Sequence, residues 1–249
     1  MKLNNIKPKF KKHSNPRIGL IALATDFNIE KDFNSIFSKQ AVDLFVNRLP
    51  SYNPLTNENF IKMTKKLTEI TANILPQQTL DCVAFGCTSG TIAAGVNSIT
   101  NKIQDAKPGV KVTTPITSAI KALRKFKINN ISVFTPYTKK INQTVLDYFK
   151  SESFNVKSFS AFNIDSDLDI AKIDSNFLFD TLSNLNLKGS DALFVSCTAL
   201  PVLKILDKLE KKIGKIVMSS NQTLIWEAHK LVGNTQSVKG YGKLLREPK

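Results

Sequence analysis

The sequence predicts an α/β protein of two like domains related by an approximate two-fold axis, each a mainly parallel four-stranded sheet flanked by helices. Short apolar strand patterns alternate with amphipathic helix patterns along all 249 residues, as in chains of βα units. Two segments, Asp81–Thr91 and Asp191–Leu200, share one pattern, in which an Asp opens a short apolar run and a Cys-Thr pair begins six residues later. Because the neighbouring strand patterns also recur in the same order, we infer that one half of the chain is a duplicate of the other.

Four pairs of positions support the duplication. They match at offsets of 113, 110, 110 and 106 residues: Gly19 with Ser132, Asn53 with Asn163, Cys87 with Cys197, and Thr113 with Ser219. In two domains that face each other, the carboxyl ends of the strands meet at a cleft, and open α/β sheets bind ligands at that edge. The duplication therefore places Cys87 and Cys197 on opposite sides of one candidate active site.

In the first half, four runs have strand character: Ile18–Ala24, Ala41–Leu49, Cys82–Gly86 and Val110–Thr113. Helices are predicted between and after them, through Phe33–Phe37, through Phe60–Ile74 behind a cap at Asn57 or Asn59, through Thr88–Ile103, and from Thr114-Pro115 through Leu123. The second half repeats this order.

Its strand patterns are Ile131–Thr135, Val156–Phe162, Ala192–Ser196 and Ile216–Ser219. Its helix patterns run through Ile141–Phe149, Ile170–Leu182, Leu200–Ile213 with Gly214 as the stop, and Ile225–Leu231. We therefore predict a basic tail over residues 1–17, a first half over 18–115 and a second half over 116–219, with residues from about 220 to 249 packing back on the first half.

The formal net charge of +15 raises the question of a nucleic-acid or membrane partner. Only four of the 35 basic residues are Arg, and the Lys residues scatter over every predicted helix apart from a cluster at Lys7, Lys9, Lys11 and Lys12. This distribution indicates a solvated, Lys-rich surface and not a nucleic-acid interface. No apolar run approaches the roughly 18 residues of a membrane span, so no membrane partner is expected. The basic start followed by Ile18–Ala24 resembles a signal peptide, but we interpret this run as the first strand.

Three cysteines, Cys82, Cys87 and Cys197, and two histidines, His13 and His229, show no spacing typical of zinc sites. The sequence therefore predicts neither a disulfide framework nor a metal site, and it indicates reduced thiols in the cytoplasm. Cys82 lies inside an apolar run and is interpreted as a packing residue. Core or surface positions are expected for Trp226 and His229, and turn or cap roles for Asp81 and Asp191.

A cysteine between a strand and a helix has its thiolate stabilised by backbone N–H groups and the helix dipole. The loops after Cys87 and Cys197 also supply N–H groups and hydroxyls that form cradles for an anion, from Thr88, Ser89, Gly90, Thr198 and Ala199. One thiolate would remove a proton from a bound carboxylate, or add to its double bond, while the opposite thiol returns a proton. This chemistry inverts or isomerises a carbon centre without a cofactor.

These motifs resemble the aspartate/glutamate racemase superfamily, and within it the branch of maleate cis-trans isomerase, arylmalonate decarboxylase and the ectoine/hydroxyectoine-utilisation protein A. The resemblance runs from about Arg17 to Gly233. It rests on six segments: Ile18–Asp26, Gly86–Thr91, Thr113–Pro115, Thr135–Thr138, Ser196–Leu200 and Ser220–Gln222. A racemase, epimerase or cis-trans isomerase of a small carboxylate is what this resemblance implies, in a homodimer or larger homo-oligomer.

The resemblance also implies roles for single residues. Decarboxylases of the branch keep only the second cysteine, so the presence of both disfavours that activity. Maleate isomerases use the first cysteine as a nucleophile and have Asn at the position of Asp26, a residue that would repel a second carboxylate. The Leu-Ala-Thr-Asp segment ending at Asp26 is most similar to the ectoine-utilisation group, which implies a hydroxyectoine-related substrate. The resemblance and the loops together predict the substrate-binding residues: Asp26, Thr88, Ser89, Thr114, Tyr137, Asn163, Thr198, Ala199 and Asn221.

A non-catalytic carboxylate-binding protein on the same fold remains the alternative from another functional class.

Overall fold

The computed structural model describes residues 3–10 and 14–247. Its strands form two four-stranded sheets in which every neighbouring pair is parallel. The strands are β1 (Arg17–Leu23), β2 (Asp43–Leu49), β3 (Cys82–Phe85), β4 (Lys111–Thr113), β5 (Asn130–Tyr137), β6 (Asn155–Ile164), β7 (Ala192–Val195) and β8 (Ile216–Ser219). The orders are β2-β1-β3-β4 and β6-β5-β7-β8, so the second sheet repeats the first. The predicted fold class is confirmed.

Twelve α-helices among the described residues flank the sheets. They are α1 (Ile29–Phe37), α2 (Asn57–Met63), α3 (Leu67–Ala72), α4 (Thr88–Ala94), α5 (Val96–Ala106), α6 (Pro115–Lys125), α7 (Lys139–Ser151), α8 (Asp167–Ala171), α9 (Ser175–Ser183), α10 (Leu206–Ile213), α11 (Ser220–Leu231) and α12 (Lys243–Arg246). None of the helices in the described ranges is long and apolar enough to cross a membrane.

The strand register corrects one of the four predicted matches. Ile18 pairs with Cys82 in the first sheet as Ile131 pairs with Ala192 in the second, which preserves the 113 and 110 offsets. At the outer strands, Ala84 pairs with Thr113 and Phe194 with Met218. Thr113 therefore corresponds to Met218, and Ser219 corresponds to Thr114. Both of these last residues cap the following helix with their side-chain hydroxyls.

The match of Asn53 with Asn163 is also wrong, because the two residues occupy different places in the two halves. Asn163 lies within β6, whereas Asn53 follows the end of β2 at Leu49. The bulges in the pairing of β5 with β6 lengthen the second pair of strands relative to the first. The pairing of β1 with β3 therefore has the same register as that of β5 with β7. The pairing of β1 with β2 and that of β5 with β6 differ in register.

Asp81 and Asp191 fix the start of the central strands in the same way. The Asp81 carboxylate accepts a hydrogen bond of 2.7 Å from the N–H of Arg17, the first residue of β1. The Asp191 carboxylate accepts one of 3.1 Å from the N–H of Asn130, the first residue of β5. Both lie at the end of the sheet away from the cysteines, as expected for turn or cap residues.

Several predicted helices are interrupted. The helix expected through Phe60–Ile74 splits into α2 and α3 around a 3₁₀ turn at Thr64–Lys66, and its cap is the hydroxyl of Thr56, not Asn57 or Asn59. The helix expected from Thr88 breaks at Gly95, whose φ of +84° is unsuitable for a helix. Leu200 lies outside the helix predicted for it, since a 3₁₀ turn at Leu203–Ile205 precedes α10. Apolar periodicity does not reveal these breaks because both sides of each break still face the core.

The helix α11 packs on α6 and also contacts α1, β3 and β4. The Thr223 hydroxyl donates to the carbonyl of Pro115, and Lys121 forms an ion pair of 2.7 Å with Glu227. Trp226 is buried in the core as expected. His229 is also fully buried, and its ring packs edge-on against Phe37 with centroids 4.5 Å apart.

The part of the N-terminal tail that the structure describes, residues 3–10, is exposed and has no helix or strand. Lys11, Lys12 and His13 lie outside the described residues, so the predicted basic cluster is described only at Lys7 and Lys9. The division of the chain into a tail and two halves stays a prediction.

Candidate active site

Cys87 ends the loop after β3 and caps α4. Its sulfur accepts a hydrogen bond of 3.2 Å from the N–H of Gly90. A Cβ at position 90 would lie 2.7 Å from that sulfur and 2.4 Å from the terminal methyl of Met63. Glycine is therefore required for the helix to start this close to the thiol.

Cys197 occupies the corresponding place after β7 but has a different local structure. Its φ is +104°, a strained conformation for a residue with a side chain, and a turn follows it where α4 follows Cys87. Its N–H donates a 3.0 Å hydrogen bond to the hydroxyl of Ser220, the first residue of α11. The predicted helix start is thus present at Cys87 and absent at Cys197.

Hydrogen bonds join the two cysteine loops directly. The Thr198 hydroxyl donates to the carbonyl of Gly86 at 3.2 Å. The hydroxyls of Thr88 and Ser220 are 2.8 Å apart. Thr198 thus links the two loops directly, and Ser220 links them through its contacts with Thr88 and the Cys197 N–H.

Tyr137, at the end of β5, lies beside Cys197. Burial raises the pKa of its phenol, and the charges of Cys197 and Cys87 raise it further; its hydroxyl hydrogen-bonds with Cys197 and Ser89. Tyr137 is 2% exposed, Cys87 3% and Cys197 6%, so all three groups share one buried site. The structure therefore places both predicted thiols in one buried region with the phenol next to Cys197.

The pKa values of the thiols differ from the expectation. Burial raises the pKa of Cys87 to about 12, although the Gly90 N–H opposes this rise. Burial likewise raises the pKa of Cys197 well above its usual value, opposed by the Tyr137 hydroxyl and the Ala199 N–H. The expected stabilisation of the thiolates is wrong for this state of the protein, because desolvation outweighs the few donors that reach each sulfur.

Three carboxyl groups, Asp26, Asp32 and Asp167, are buried around the site. Burial raises the pKa of Asp32 to about 7 and that of Asp167 to about 6. Burial also raises the pKa of Asp26, against the N–H groups of Ile29 and Asn28 that bond to its Oδ1. The charges of Asp167 and Asp26 in turn raise the pKa values of both thiols.

Most of the predicted binding residues meet at these loops. Asn221 donates from Nδ2 to the Thr198 carbonyl and to Asp32, both at 2.8 Å, while its Oδ1 is buried with no partner among the described residues. The carbonyl of Ala199 accepts a hydrogen bond from the Asn28 side chain. The contacts described above place four further predicted residues beside the cysteines: Thr88, Ser89, Thr198 and Asp26.

Two predicted residues are not joined to the thiols by hydrogen bonds of the described residues. Thr114 caps α6, and its hydroxyl bonds only within that turn, to Thr117. Asn163 has a φ of +66° and an exposed side chain beside Ile164, which pairs with Tyr137. Both lie at the carboxyl edge of their sheets, and their binding roles stay predictions.

Sequence reasoning missed Ser220 and Asp167. Ser220 directly follows Ser219, the last residue of β8, and its position at the carboxyl end of a strand could have identified it as a site residue. Asp167 lies in the run Asp165-Ser166-Asp167-Leu168-Asp169, where nothing local distinguishes the buried Asp from its exposed neighbours. Only the packing of α8 against the first half selects it.

The fold and the site define a class of α/β proteins in which two like halves each contribute a buried cysteine at the carboxyl edge of a parallel sheet. The sequence profile of the family described as arylmalonate decarboxylase matches residues 40–245. The chain therefore belongs to this family.

Individual relatives agree with this assignment. The maleate isomerase of Alcaligenes faecalis is 22% identical over 174 residues, covering 67% of this chain and 69% of the relative. The solved maleate isomerase of Pseudomonas putida S16 with maleate superposes with a TM-score of 0.86 at 18% identity, covering 94% of this chain and 98% of that one. A Nocardia farcinica maleate cis-trans isomerase mutant with a covalently bound succinylcysteine intermediate superposes with a TM-score of 0.85 at 17% identity, covering 94% and 99%.

The predicted resemblance to the branch of maleate isomerase and arylmalonate decarboxylase is confirmed, and with it the expectation of an isomerase-type enzyme. The closeness to the ectoine-utilisation group stays a prediction.

Proposed function

We propose that this protein is a racemase, epimerase or cis-trans isomerase of a small carboxylate, with Cys87 and Cys197 as its two reacting groups and no cofactor. The observation that carries the proposal is the burial of both thiols in loops that hydrogen bonds join, from Thr198 to Gly86 and between Thr88 and Ser220. The Tyr137 phenol bonds with Cys197 and interacts with Cys87 through charge. Two thiols on opposite sides of one substrate supply an acid and a base without further groups.

In racemisation or epimerisation, one cysteine reacts as the thiolate and the other as the thiol. The thiolate removes the proton from the carbon next to the substrate carboxylate, and the electron pair passes into that carboxylate as an enediolate. The opposite thiol then protonates the carbon on its other face and becomes the thiolate. The two cysteines exchange protonation states in each turnover, so the next substrate molecule is processed in the reverse direction.

The N–H groups of the cysteine loops are the proposed partners of the substrate carboxylate. Asn221 already uses its Nδ2 for Thr198 and Asp32, so its buried and unpartnered Oδ1 is the proposed acceptor for a donor group elsewhere on the substrate. Tyr137 supports the reaction by donating a hydrogen bond to the Cys197 sulfur, since a donor stabilises the thiolate form.

Maleate cis-trans isomerisation is the second candidate, favoured by the relatives named above. Here the Cys87 thiolate forms a C–S bond to one alkene carbon, and the electron pair of the double bond passes into the adjacent carboxylate. Rotation about the resulting single bond and cleavage of the C–S bond then give the trans product. The succinylcysteine in the Nocardia farcinica structure supports a covalent step of this kind.

For the first candidate, racemisation or epimerisation, we propose a substrate related to hydroxyectoine. It is supported by the resemblance of the segment ending at Asp26 to the ectoine-utilisation group. We also propose that the protein acts in the cytoplasm as a homodimer or larger homo-oligomer, which light scattering of the purified chain tests.

Deuterium incorporation tests the proposal. Candidate carboxylates are incubated with the protein in deuterated water, and ¹H NMR follows the carbon-bound protons of aspartate, maleate, ectoine, hydroxyectoine and an aryl malonate. We expect exchange or isomerisation of at least one compound, lost in Cys87→Ala and in Cys197→Ala. Cys82→Ala is the matched control, because this third thiol is buried in β3 and should not affect turnover.

Turnover that survives both single substitutions would exclude the two-thiol mechanism. Thermal stabilisation by a carboxylate without any chemistry would favour a non-catalytic binding protein.

A further inference from the structure

Asp26 and Asp167 come from different halves of the chain and meet beside the thiols. Asp26 lies in the loop after β1, and Asp167 is the first residue of α8. The hydroxyl of Thr25, next to Asp26, donates a short hydrogen bond to the Asp167 carboxylate. Both Asp residues act on both sulfurs through their charge, so the pair borders the same site as Cys87 and Cys197.

The surrounding hydrogen bonds hold both side chains as acceptors. Asp26 Oδ1 accepts the N–H groups of Asn28 at 2.8 Å and Ile29 at 2.9 Å. Since the proton of the Thr25 hydroxyl is directed to Asp167, the Ser51 hydroxyl 2.8 Å away serves as donor to Thr25. Burial raises the pKa of both carboxyls, and these donors oppose that rise by favouring the ionised form.

Asp26 nevertheless has one oxygen with no hydrogen bond. Its Oδ2 is buried and accepts no hydrogen bond of good geometry in the described part of the chain, while the whole residue is only 1% exposed. The nearby Thr198 hydroxyl lowers the pKa of Asp26, but it donates its proton to the Gly86 carbonyl. A buried carboxylate oxygen without a donor is costly, so such an atom indicates a place for a donor from a ligand.

No basic side chain of the described ranges completes this pair. None of their ion pairs involves Asp26, Asp32 or Asp167. Arg48 gives its guanidinium N–H groups to the backbone carbonyls of Leu23 and Asp26 and to Glu30. The charge of Arg48 lowers the pKa of Asp26, but no basic side chain of the described ranges forms an ion pair with either carboxylate.

We propose that Asp26 and Asp167 form a subsite for a cationic nitrogen group, so that the substrate is a carboxylate that also carries an ammonium or amidinium group. The inference rests on the proposed function and narrows its substrate class. A dicarboxylate would place a second negative charge against two buried carboxylates, which is unfavourable in a site of low dielectric.

A cation in this subsite also affects the thiols. It offsets the two negative charges that raise their pKa values, whereas a second carboxylate would raise those values further. The correct substrate would thus promote formation of the thiolate that reacts with it. Selectivity and activation would then have the same electrostatic origin.

Competitive binding tests the subsite. Calorimetric titration compares aspartate and ectoine, which carry a cationic nitrogen, with maleate, which does not, for the wild type, Asp26→Asn and Asp167→Asn. We expect the wild type to bind at least one cationic probe about tenfold more tightly than maleate, and each substitution to reduce that ratio by about tenfold. Asp169→Asn is the matched control, because Asp169 lies in the same helix but is exposed and paired with Lys172; it should leave the ratio unchanged.

A wild type without preference for either cationic probe over maleate, including one that binds none of them, would overturn the subsite. So would an unchanged ratio in both Asp→Asn variants. The deuterium experiment separates the two proposals. If exchange depends on the thiols but binding shows no preference for a cationic probe, only the subsite proposal is contradicted. If binding shows this preference but no exchange or isomerisation occurs, only the proposed activity is contradicted.

Discussion

Ser220 accepts a hydrogen bond of 3.0 Å from the backbone N–H of Cys197. The same hydroxyl lies 2.8 Å from that of Thr88, the residue after Cys87. One buried side chain from α11 therefore connects the strained loop of the second half to the helix start of the first. The spacing between the two sulfurs depends on this contact, and the first prediction concerns it.

We expect Ser220→Ala to lower turnover on the order of 10-fold to 100-fold, since small displacements of reacting groups are costly. It should lower the free energy of unfolding by about 1–3 kcal/mol, because a buried N–H loses its acceptor. Ser183→Ala is the control, since the Ser183 hydroxyl is buried without a partner and lies in α9. Steady-state kinetics and urea unfolding measure both effects; an unaltered kcat in Ser220→Ala would contradict the positioning role.

Gly90→Ala tests the close approach of α4 to the Cys87 thiol. The added methyl would meet the sulfur and Met63, so we expect a loss of activity on the order of 100-fold and a loss of stability of about 1–3 kcal/mol. The double variant Gly90→Ala with Met63→Ala relieves the contact with Met63 only. If activity is limited by the thiol, the double variant should remain as inactive as the single one. Recovery of activity in the double variant would assign the defect to Met63.

The reactivity of Cys87 toward iodoacetamide should be low at neutral pH and increase with pH. Burial raises the pKa of this thiol to about 12, so the thiolate fraction grows about tenfold per pH unit between roughly pH 7 and 9.5. Mass spectrometry of the alkylated peptides measures the rate, with Cys82 reporting any general opening of the core. A rate that levels off by about pH 8 would show that the thiol is activated before any ligand binds.

Slow alkylation does not distinguish an enzyme from a non-catalytic binding protein, because burial raises the pKa of both thiols in either case. The deuterium experiment therefore decides between these functions, and alkylation does not.

His229 should make the protein less stable in mild acid. Burial lowers its pKa from 6.5 to about 4, so between these values the unfolded state binds more protons than the folded state. The penalty is absent above about pH 6.5 and increases as the pH falls, reaching about 2 kcal/mol at pH 5. We expect His229→Leu to gain this amount relative to the wild type between pH 7.5 and 5.

Urea unfolding of both proteins at several pH values measures the difference, in which the contributions of the buried carboxyls cancel. Parallel stability profiles for wild type and variant would contradict the prediction.

Local signals in the sequence determined the fold and the pair of thiols. Strands such as Ala192–Val195 are short, apolar and bounded by turn residues, and their order repeats, so the two sheets followed without knowledge of any long-range contact. The repeat placed Cys87 and Cys197 at matching strand ends, and parallel strands bring such ends to one edge of a sheet. Helix breaks and the outer register were missed where a bulge or a single glycine changed the geometry without changing the apolar pattern.

The tertiary structure alone decided the electrostatics of the site. The sequence predicted thiolates stabilised by their loops, but the packing of both halves buries Cys87 and Cys197 so deeply that desolvation dominates. The choice of Asp167 among neighbouring acidic residues and the bridge through Ser220 also depend on contacts between distant segments. Desolvation and charge interaction are set by all the atoms around a group, and those atoms come from parts of the chain that no local pattern connects.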